Sequence, residues 1–534
     1  MGKQTKYIFI TGGVVSGLGK GIAGSSIGTI LKSAGKSVFM QKQDPYLNVD
    51  PGTMNPVEHG EVYVTADGGE TDLDLGHYER FIDTNLTKTS SFSAGKIYWE
   101  VINDERKGKY KGQTVQTIPH ITEKIIEKIY ACSNNNEVDF VIVEIGGTIG
   151  DIESQPFIEA IRQIKSRLPE ENTLFVHVAL LTYLNVTGEF KTKPIQHSVK
   201  EMLSHGIQPD ILVARCDVDA PVPPNITRKI SNLCNLKPEE VIIGANEASI
   251  YDVPLALHRQ NIHEVISEKM NVNLKPNLKD WIEASEKKKN STNKVTISLV
   301  GKYVDLQDAY LSVSESLKIS GIWNSAQIKI NWINSRKLTA TNIDEQLSGS
   351  DGILVPGGFG IDGVEGKVLA AGYARENKIP YLGICLGMQI ACIEFARNVL
   401  GHKDANSSEF DLDSQNQVIH LIEGNNKDQL GGTLRLGEYE TTIVKGTKAE
   451  KLYGSKAIER HRHRYEFNNK YRDEFESAGM KISGVYKKDD LVEIVEITDH
   501  PFFIAAQYHP EFTSRLSKPN PLFDGFIKAI ISIK

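Results

Sequence analysis

Tyr7-Ile8-Phe9-Ile10-Thr11 runs directly into Gly12-Gly13-Val14-Val15-Ser16-Gly17-Leu18-Gly19-Lys20-Gly21. The unbroken apolar run predicts a strand buried on both faces, and the glycines predict a tight turn leaving it. Residues 22–34 then read as a helix closed by Gly35, and 37–40 as a second strand. Strand, loop, helix and strand in that order make a unit of parallel sheet with helices on its faces. Working outward, further strands are expected at 140–144, 174–179 and 210–214, with helices at 122–130, 155–167 and 198–205.

A second α/β series starts near residue 295, with strands expected at 295–300, 352–355 and 380–384. Between the two series, 286–293 (EKKKNSTN) is polar and has no apolar period. It reads as part of an interdomain linker, and an exposed helix end fits those residues equally well. The expected architecture is therefore two doubly wound α/β domains, each with a mostly parallel sheet, over 1–270 and 294–534, joined by a linker at 271–293. A chain of 534 residues is also too long for one ordinary core.

Composition narrows the classes. With 40% hydrophobic and 24% charged residues the chain reads as a soluble globular protein. Its formal net charge of -7 gives no general attraction for nucleic acid. The five cysteines show no CxxC spacing, so neither a zinc knuckle nor a disulfide framework is indicated, and a reducing compartment fits. The apolar run at 7–11 is too short for a signal-peptide core, and Lys6 departs from the myristoylation pattern. Gln389 and Glu394 interrupt the longest apolar stretch, 382–396, so no membrane span is expected. The cytoplasm is the expected location, with neither nucleic acid nor membrane as a partner.

The glycine loop points backbone N–H groups at one spot, where the helix dipole also favours anions, and Lys20 adds a mobile positive charge. The spacing departs from GxxxxGK[ST]. Gly13 comes one position early, and Gly21 stands where a metal-binding hydroxyl is usual. A nucleotide bound here needs metal ligands from elsewhere. Asp74 and Glu144 are the candidates, being oxygen ligands of the kind that suit Mg²⁺. Taken alone, Asp74 reads more readily as a turn or N-cap carboxylate, and the loop fits a turn that binds nothing about as well as a phosphate cradle.

Near the other end, Gly383-Ile384-Cys385-Leu386-Gly387 has glycines two positions either side of a nucleophile, a spacing that permits a sharp strand-to-helix turn. The helix N-terminus favours thiolate there. The N–H of Leu386 and one near Gly358, in Pro356-Gly357-Gly358-Phe359-Gly360, are candidate oxyanion donors. His509 is the candidate acid–base group and Glu511 its orienting carboxylate. Alone, Cys385 is as compatible with a core cysteine, and His509 with a surface histidine before Pro510. His461-Arg462-His463-Arg464 is either a solvated basic face or a binder of a substrate carboxylate.

At these residues the chain resembles the CTP synthases, nearly end to end. The likeness is carried by residues 12–21, 44–53, 59–61, 72–80, 143–148, 150–154, 191–196, 356–360, 383–389 and 509–511. The C-terminal half alone is similar to class I glutamine amidotransferases, and the N-terminal half to the dethiobiotin-synthetase-like P-loop group. The resemblance implies ATP-dependent amination of UTP to CTP through a 4-phosphorylated UTP, with ammonia from glutamine carried along an internal passage. It implies ATP contacts at Gly17, Leu18, Gly19, Lys20, Gly21, Ile22, Lys42 and Asp74, and Mg²⁺ on Asp74 and Glu144. UTP, or CTP as feedback inhibitor, is implied at Ser16, Asp151, Ile152, Glu153, Lys191, Thr192, Lys193, Pro194, Ile195, Gln196 and Lys229. Glutamine is implied at Gly358, Leu386, Gly387, Met388, Gln389, Glu409 and Arg464, with Cys385, His509 and Glu511 splitting it. Pro56, His59 and Val62 would line the passage. GTP activation, a homotetramer and filaments are also implied, although no motif marks a GTP pocket. Two departures stand out: Gly17 replaces a serine of some relatives, and Asn246 stands where many have an Asp near adenosine. A plain glutaminase or cysteine peptidase, and a nucleotide-sensing scaffold without turnover, are the competing readings.

Overall fold

The computed structural model describes residues 4–136, 138–218, 220–421 and 434–534, with side chains of 134–136 left aside. The chain forms two compact units. One comprises residues 1–50 and 74–285, the other residues 51–73 and 286–534.

In the first unit the described residues form a seven-stranded, wholly parallel sheet. Its strands lie in the spatial order Val241–Gly244, Ile211–Arg215, Thr173–Leu180, Lys6–Gly12, Phe140–Ile145, Val38–Asp44 and Ser91–Ser93. Lys6–Gly12 is central and buried from Tyr7 onward, as its apolar run requires. The helix that follows is Lys20–Ser33, starting at the lysine itself, with Gly19 before it at φ 82°. Because the neighbouring strands are parallel, their carboxyl ends share one edge, where ligands of open α/β sheets bind. Register sets Lys42 beside Glu144 on that edge.

The second unit holds a nine-stranded mixed sheet among the described residues. Ala326–Asn334, Asn293–Gly301, Gly352–Val355, Tyr381–Ile384 and Phe503–Ala506 pair parallel. Four antiparallel strands extend it: Leu491–Ile497, Met480–Tyr486, Arg435–Ile443 and, at the edge, Lys456–His463.

Two boundaries differ from the sequence reading. Residues 51–73 fall within the expected domain 1–270 but group with the second unit. The expected linker 271–293 contains the helix Lys279–Lys289, and a strand begins already at Asn293. The helix is explained by Trp281, whose ring centroid lies 5.3 Å from that of Phe81 and 6.2 Å from that of Tyr251. One aromatic anchor makes no period, and residues 286–289 form the helix end that the sequence left open as an alternative. Among the described residues no helix is long and apolar enough to cross a membrane. Trp281→Ala is expected to destabilise the first unit by about 2 kcal/mol. The check is the thermal midpoint of its unfolding transition; no change in midpoint would show that the helix is not anchored by Trp281.

Candidate functional site

At the carboxyl edge of the first sheet, Lys20 folds back and its Nζ donates to the Gly147 carbonyl at 2.5 Å. Burial lowers the Lys20 pKa, with Glu144 opposing. Lys42 reaches three carboxylates: it hydrogen-bonds Asp74, lies 3.3 Å from Glu144 Oε1 and 3.9 Å from Asp44 Oδ1. Tyr78 donates its hydroxyl to Glu144. Burial raises Asp44 to about 6 and raises Glu144 as well. Burial acts on Asp74 in the same sense, but Lys42 and His77 outweigh it and hold that carboxyl below its ordinary value. A Cβ on Gly21 would lie 2.8 Å from Asp74 Oδ1. A Ser or Thr at this position would require the Asp74 carboxylate to shift. Oxygen ligands of this kind fit Mg²⁺, which commonly binds one or two carboxylates together with substrate phosphates.

The other expected nucleotide residues lie around this unit's surface. Ser16 and Gly17 are exposed in the loop, whereas Leu18 is buried. Asp151, Ile152 and Glu153 are exposed, and Asp151 Oδ2 accepts from the Thr148 backbone N–H at 2.9 Å. Thr192, Lys193, Pro194, Ile195 and Gln196 form the cap and first turn of the helix Lys193–Ser204, a place where free N–H groups favour anions. Lys191 donates to Glu189 at 2.5 Å, and the charge of Lys229 acts on the same carboxylate. The Ile195 side chain does not face outward: it is fully buried in an apolar cluster with Ala179 and Leu212. Asn246 accepts from Arg215 at 2.5 Å and donates to Asp217 at 3.2 Å.

The second unit holds the thiol. Cys385 sits at φ 52° and ψ −104° between the strand Tyr381–Ile384 and the helix Leu386–Phe395. A non-glycine residue in this region is strained, and such strain gathers at functional sites. Its backbone N–H is held by the Ala506 carbonyl at 2.7 Å. Its thiol donates to the Arg462 carbonyl at 3.7 Å, and Gln507 Nε2 donates to the sulfur at 3.7 Å. His509 Nδ1 and Glu511 Oε1 are 2.7 Å apart. Burial alone would lower the imidazole pKa, but Glu511 and Cys385 outweigh it and lift His509 to about 10. Gly357 flanks the pair, where a Cβ would lie 2.8 Å from His509 Cε1 and 3.5 Å from Cys385 Cβ.

At the loop that carries Gly358, Glu409 accepts the Gly360 N–H at 2.7 Å, and the charges of Lys302 and Arg464 both act on it. Opposite charges set near a nucleophile suit the two ends of an amino-acid zwitterion. Met388 is fully buried in the core, and Gln389 is spent on the Tyr465 carbonyl at 3.0 Å and on Gln507 at 3.2 Å. His461 and His463 are buried, so the run 461–464 is not a solvated basic face. Pro56 and His59 lie in the short helix Pro56–His59, and Val62 follows it.

Sequence reading did not single out two lysines near this centre. Lys302 directly follows the strand Asn293–Gly301 and donates to the Phe359 carbonyl at 2.5 Å, a position that its place after the strand would have signalled. Lys367 is fully buried, and burial lowers it to about 7. Its place in an apolar helical period gave no sign of function.

A family model described as "CTP synthase N-terminus" matches residues 6–272, and one for class-I glutamine amidotransferases matches residues 305–529. A CTP synthase of Mesoplasma florum is 58% identical, covering 99% of this chain and 100% of the relative. One from Caldanaerobacter subterraneus subsp. tengcongensis is 56% identical, covering 99% of each. The chain belongs to the CTP synthase family. As a CTP synthase it is a glutamine-hydrolysing C–N ligase that aminates UTP to CTP at the expense of ATP. A solved Trypanosoma brucei CTPS glutaminase domain with bound acivicin is 40% identical, covering 45% of this chain and 94% of its own, at a TM-score of 0.43.

The Gly357 geometry gives a test. Gly357→Ala pushes a methyl group against His509 and is expected to lower glutamine-dependent CTP formation by about a hundredfold. Formation from ammonium salts should stay near wild type. A variant with unchanged glutamine turnover would mean that the imidazole has room the packing denies.

Proposed function

We propose that the two chemistries divide between two site sets on this chain. Glutamine is held with its α-ammonium at Glu409 and its α-carboxylate at Arg464. Gly358, Leu386, Gly387, Met388 and Gln389 frame the pocket through backbone and shape. The Cys385 thiolate attacks the carboxamide carbon, while the backbone N–H groups of Gly358 and Leu386 receive the developing oxyanion. His509, oriented by Glu511, gives its proton to the leaving nitrogen, releasing ammonia and a thioester. Water, deprotonated by His509, then releases glutamate and the thiol. The observation that carries this reading is the strained Cys385 turn beside a His509–Glu511 contact of 2.7 Å.

In the synthetase reaction, the residues 17–22 and Lys20 cradle the ATP phosphates. Lys42 offsets charge on the phosphoryl group as it moves to O4 of UTP. Asp74 and Glu144 would hold Mg²⁺, which when bound neutralises the phosphate oxygens. UTP is held by Ser16, by residues 151–153 and by the basic set Lys191, Lys193 and Lys229, with Thr192 and Gln196 at the helix start. CTP as inhibitor shares part of that site. Ammonia then displaces phosphate from C4. Pro56, His59 and Val62 line the route that keeps the nitrogen as NH₃, since ammonium has no lone pair to attack with. The enzyme works in the cytoplasm as a homotetramer able to stack into filaments, with GTP activating the glutamine reaction.

Two variants test the division. Cys385→Ala is expected to abolish CTP formation from glutamine and to leave formation from ammonium salts intact. Glu144→Gln is expected to abolish CTP formation from both nitrogen sources while slow glutamine hydrolysis persists. Equal loss of both nitrogen-dependent activities in Cys385→Ala would overturn the reading.

A further inference from the structure

The strand Lys456–His463 touches both Cys385 and His509 without supplying a reacting group. Its Arg460 carbonyl accepts the His509 backbone N–H at 2.8 Å, and its neighbouring Arg462 carbonyl accepts from the Cys385 thiol. The side chains of the same two residues bind the segment 51–73. Arg460 Nη1 donates to the Tyr63 hydroxyl at 3.1 Å and to the Val64 carbonyl at 3.0 Å. Arg462 donates through Nε to Glu70 Oε1 at 2.8 Å and through Nη2 to the Gly52 carbonyl at 3.1 Å.

Two ring contacts extend the same linkage. The Arg462 guanidinium lies 5.0 Å from the Phe359 ring centroid, within the loop that carries Gly358. Tyr63 donates to the Phe512 carbonyl at 2.9 Å, and the Phe512 ring stacks on His509 at 5.1 Å. The thiol, the imidazole and the oxyanion loop are thus each one contact from a residue that the segment 51–73 holds.

We infer that Arg460 and Arg462 are positioning residues of the glutamine site, and that the segment 51–73, with Glu70 as its charged anchor, sets them. A guanidinium has fixed donors, so fastening both of its faces fixes the backbone that carries it. Displacing that backbone moves the Cys385 and His509 partners together, and rates fall steeply with such misplacement. The assignment rests on the reading in which Cys385 and His509 split glutamine.

The test compares Glu70→Gln and Arg462→Lys with Glu440→Gln. Glu440 forms an exposed pair with Lys456 at 3.0 Å on the same two strands and serves as control. In the full-length enzyme, Glu70→Gln and Arg462→Lys are each expected to lower kcat with glutamine by about tenfold, with KM for glutamine changed less than about twofold. Alkylation of Cys385 by iodoacetamide should slow, and its pH profile should shift, because the thiol and imidazole no longer share a proton in the same geometry. CTP formation from ammonium, and every activity of Glu440→Gln, should match wild type. Wild-type kcat in both Glu70→Gln and Arg462→Lys overturns the assignment even if their melting points fall. So does an equal loss of the ammonium-dependent reaction. Failure of the underlying reading would show separately, as glutamine-dependent activity surviving Cys385→Ala.

Discussion

Both sites depend on parallel strand pairing, which delivers the last residue of each strand to a common edge. In the first unit Glu144 is in register with Ile10 on one side and Lys42 on the other. The lysine and its carboxylate partner therefore meet where the glycine loop leaves the central strand. In the second unit Ile384 is in register with Ala506. The next residues of those two strands lead to Cys385 and, three positions past Ala506, to His509. A slip of one residue would turn Lys42 to the opposite face and separate it from Asp74. Register, more than any single contact, assembles these groups.

Such an edge can hold charges only in company. An unpaired buried ion costs several kcal/mol even after the protein relaxes. Lys42 is placed among Asp44, Asp74 and Glu144, and the burden of burial falls most visibly on Asp44, raised to about 6. A lysine among three carboxylates leaves negative charge in excess, with Lys20 beside it. That balance favours a cation and a polyanion arriving together over either alone. The thiol site works on the same principle, since Glu511 and Cys385 together overcome the burial that would otherwise keep His509 neutral.

What the sequence made legible was local. The loop at 12–21 and the turn around Cys385 are short motifs whose glycines and reactive side chains lie within a few residues of each other. The structure keeps them where the spacing predicts. Long-range partners left no such trace. Gly52 and Arg462 are 410 positions apart, and Glu70 and Arg462 are 392 apart. Neither pair interrupts a periodicity. The helix Lys279–Lys289 was hidden for a related reason: Trp281 packs on Phe81 and Tyr251, and most of the other residues of that helix are charged or polar. For the run 461–464 the sequence left two readings open, and burial of its histidines removes the solvated one. Its charge count suggests solvent, yet burial drives both His461 and His463 well below their ordinary values.

The placement of Lys456–His463 at the sheet's edge explains why its carbonyls are available at all. An edge strand pairs on one side only, and its open side is a liability unless something covers it. Here the strand pairs with Arg435–Ile443 along one side. On the other, the Arg460 and Arg462 carbonyls accept hydrogen bonds from His509 and Cys385. The two residues are separated by one position, so their side chains also share a face, and that face is where Tyr63, Val64, Gly52 and Glu70 are bound. A central strand could not do this, because its carbonyls would be committed to neighbouring strands. The need to protect an open edge and the need to hold two reacting groups in register are met by one set of contacts. A change at Gly52, Tyr63, Val64 or Glu70 would on this reading reach the thiol and the imidazole through the main chain of Arg460 and Arg462.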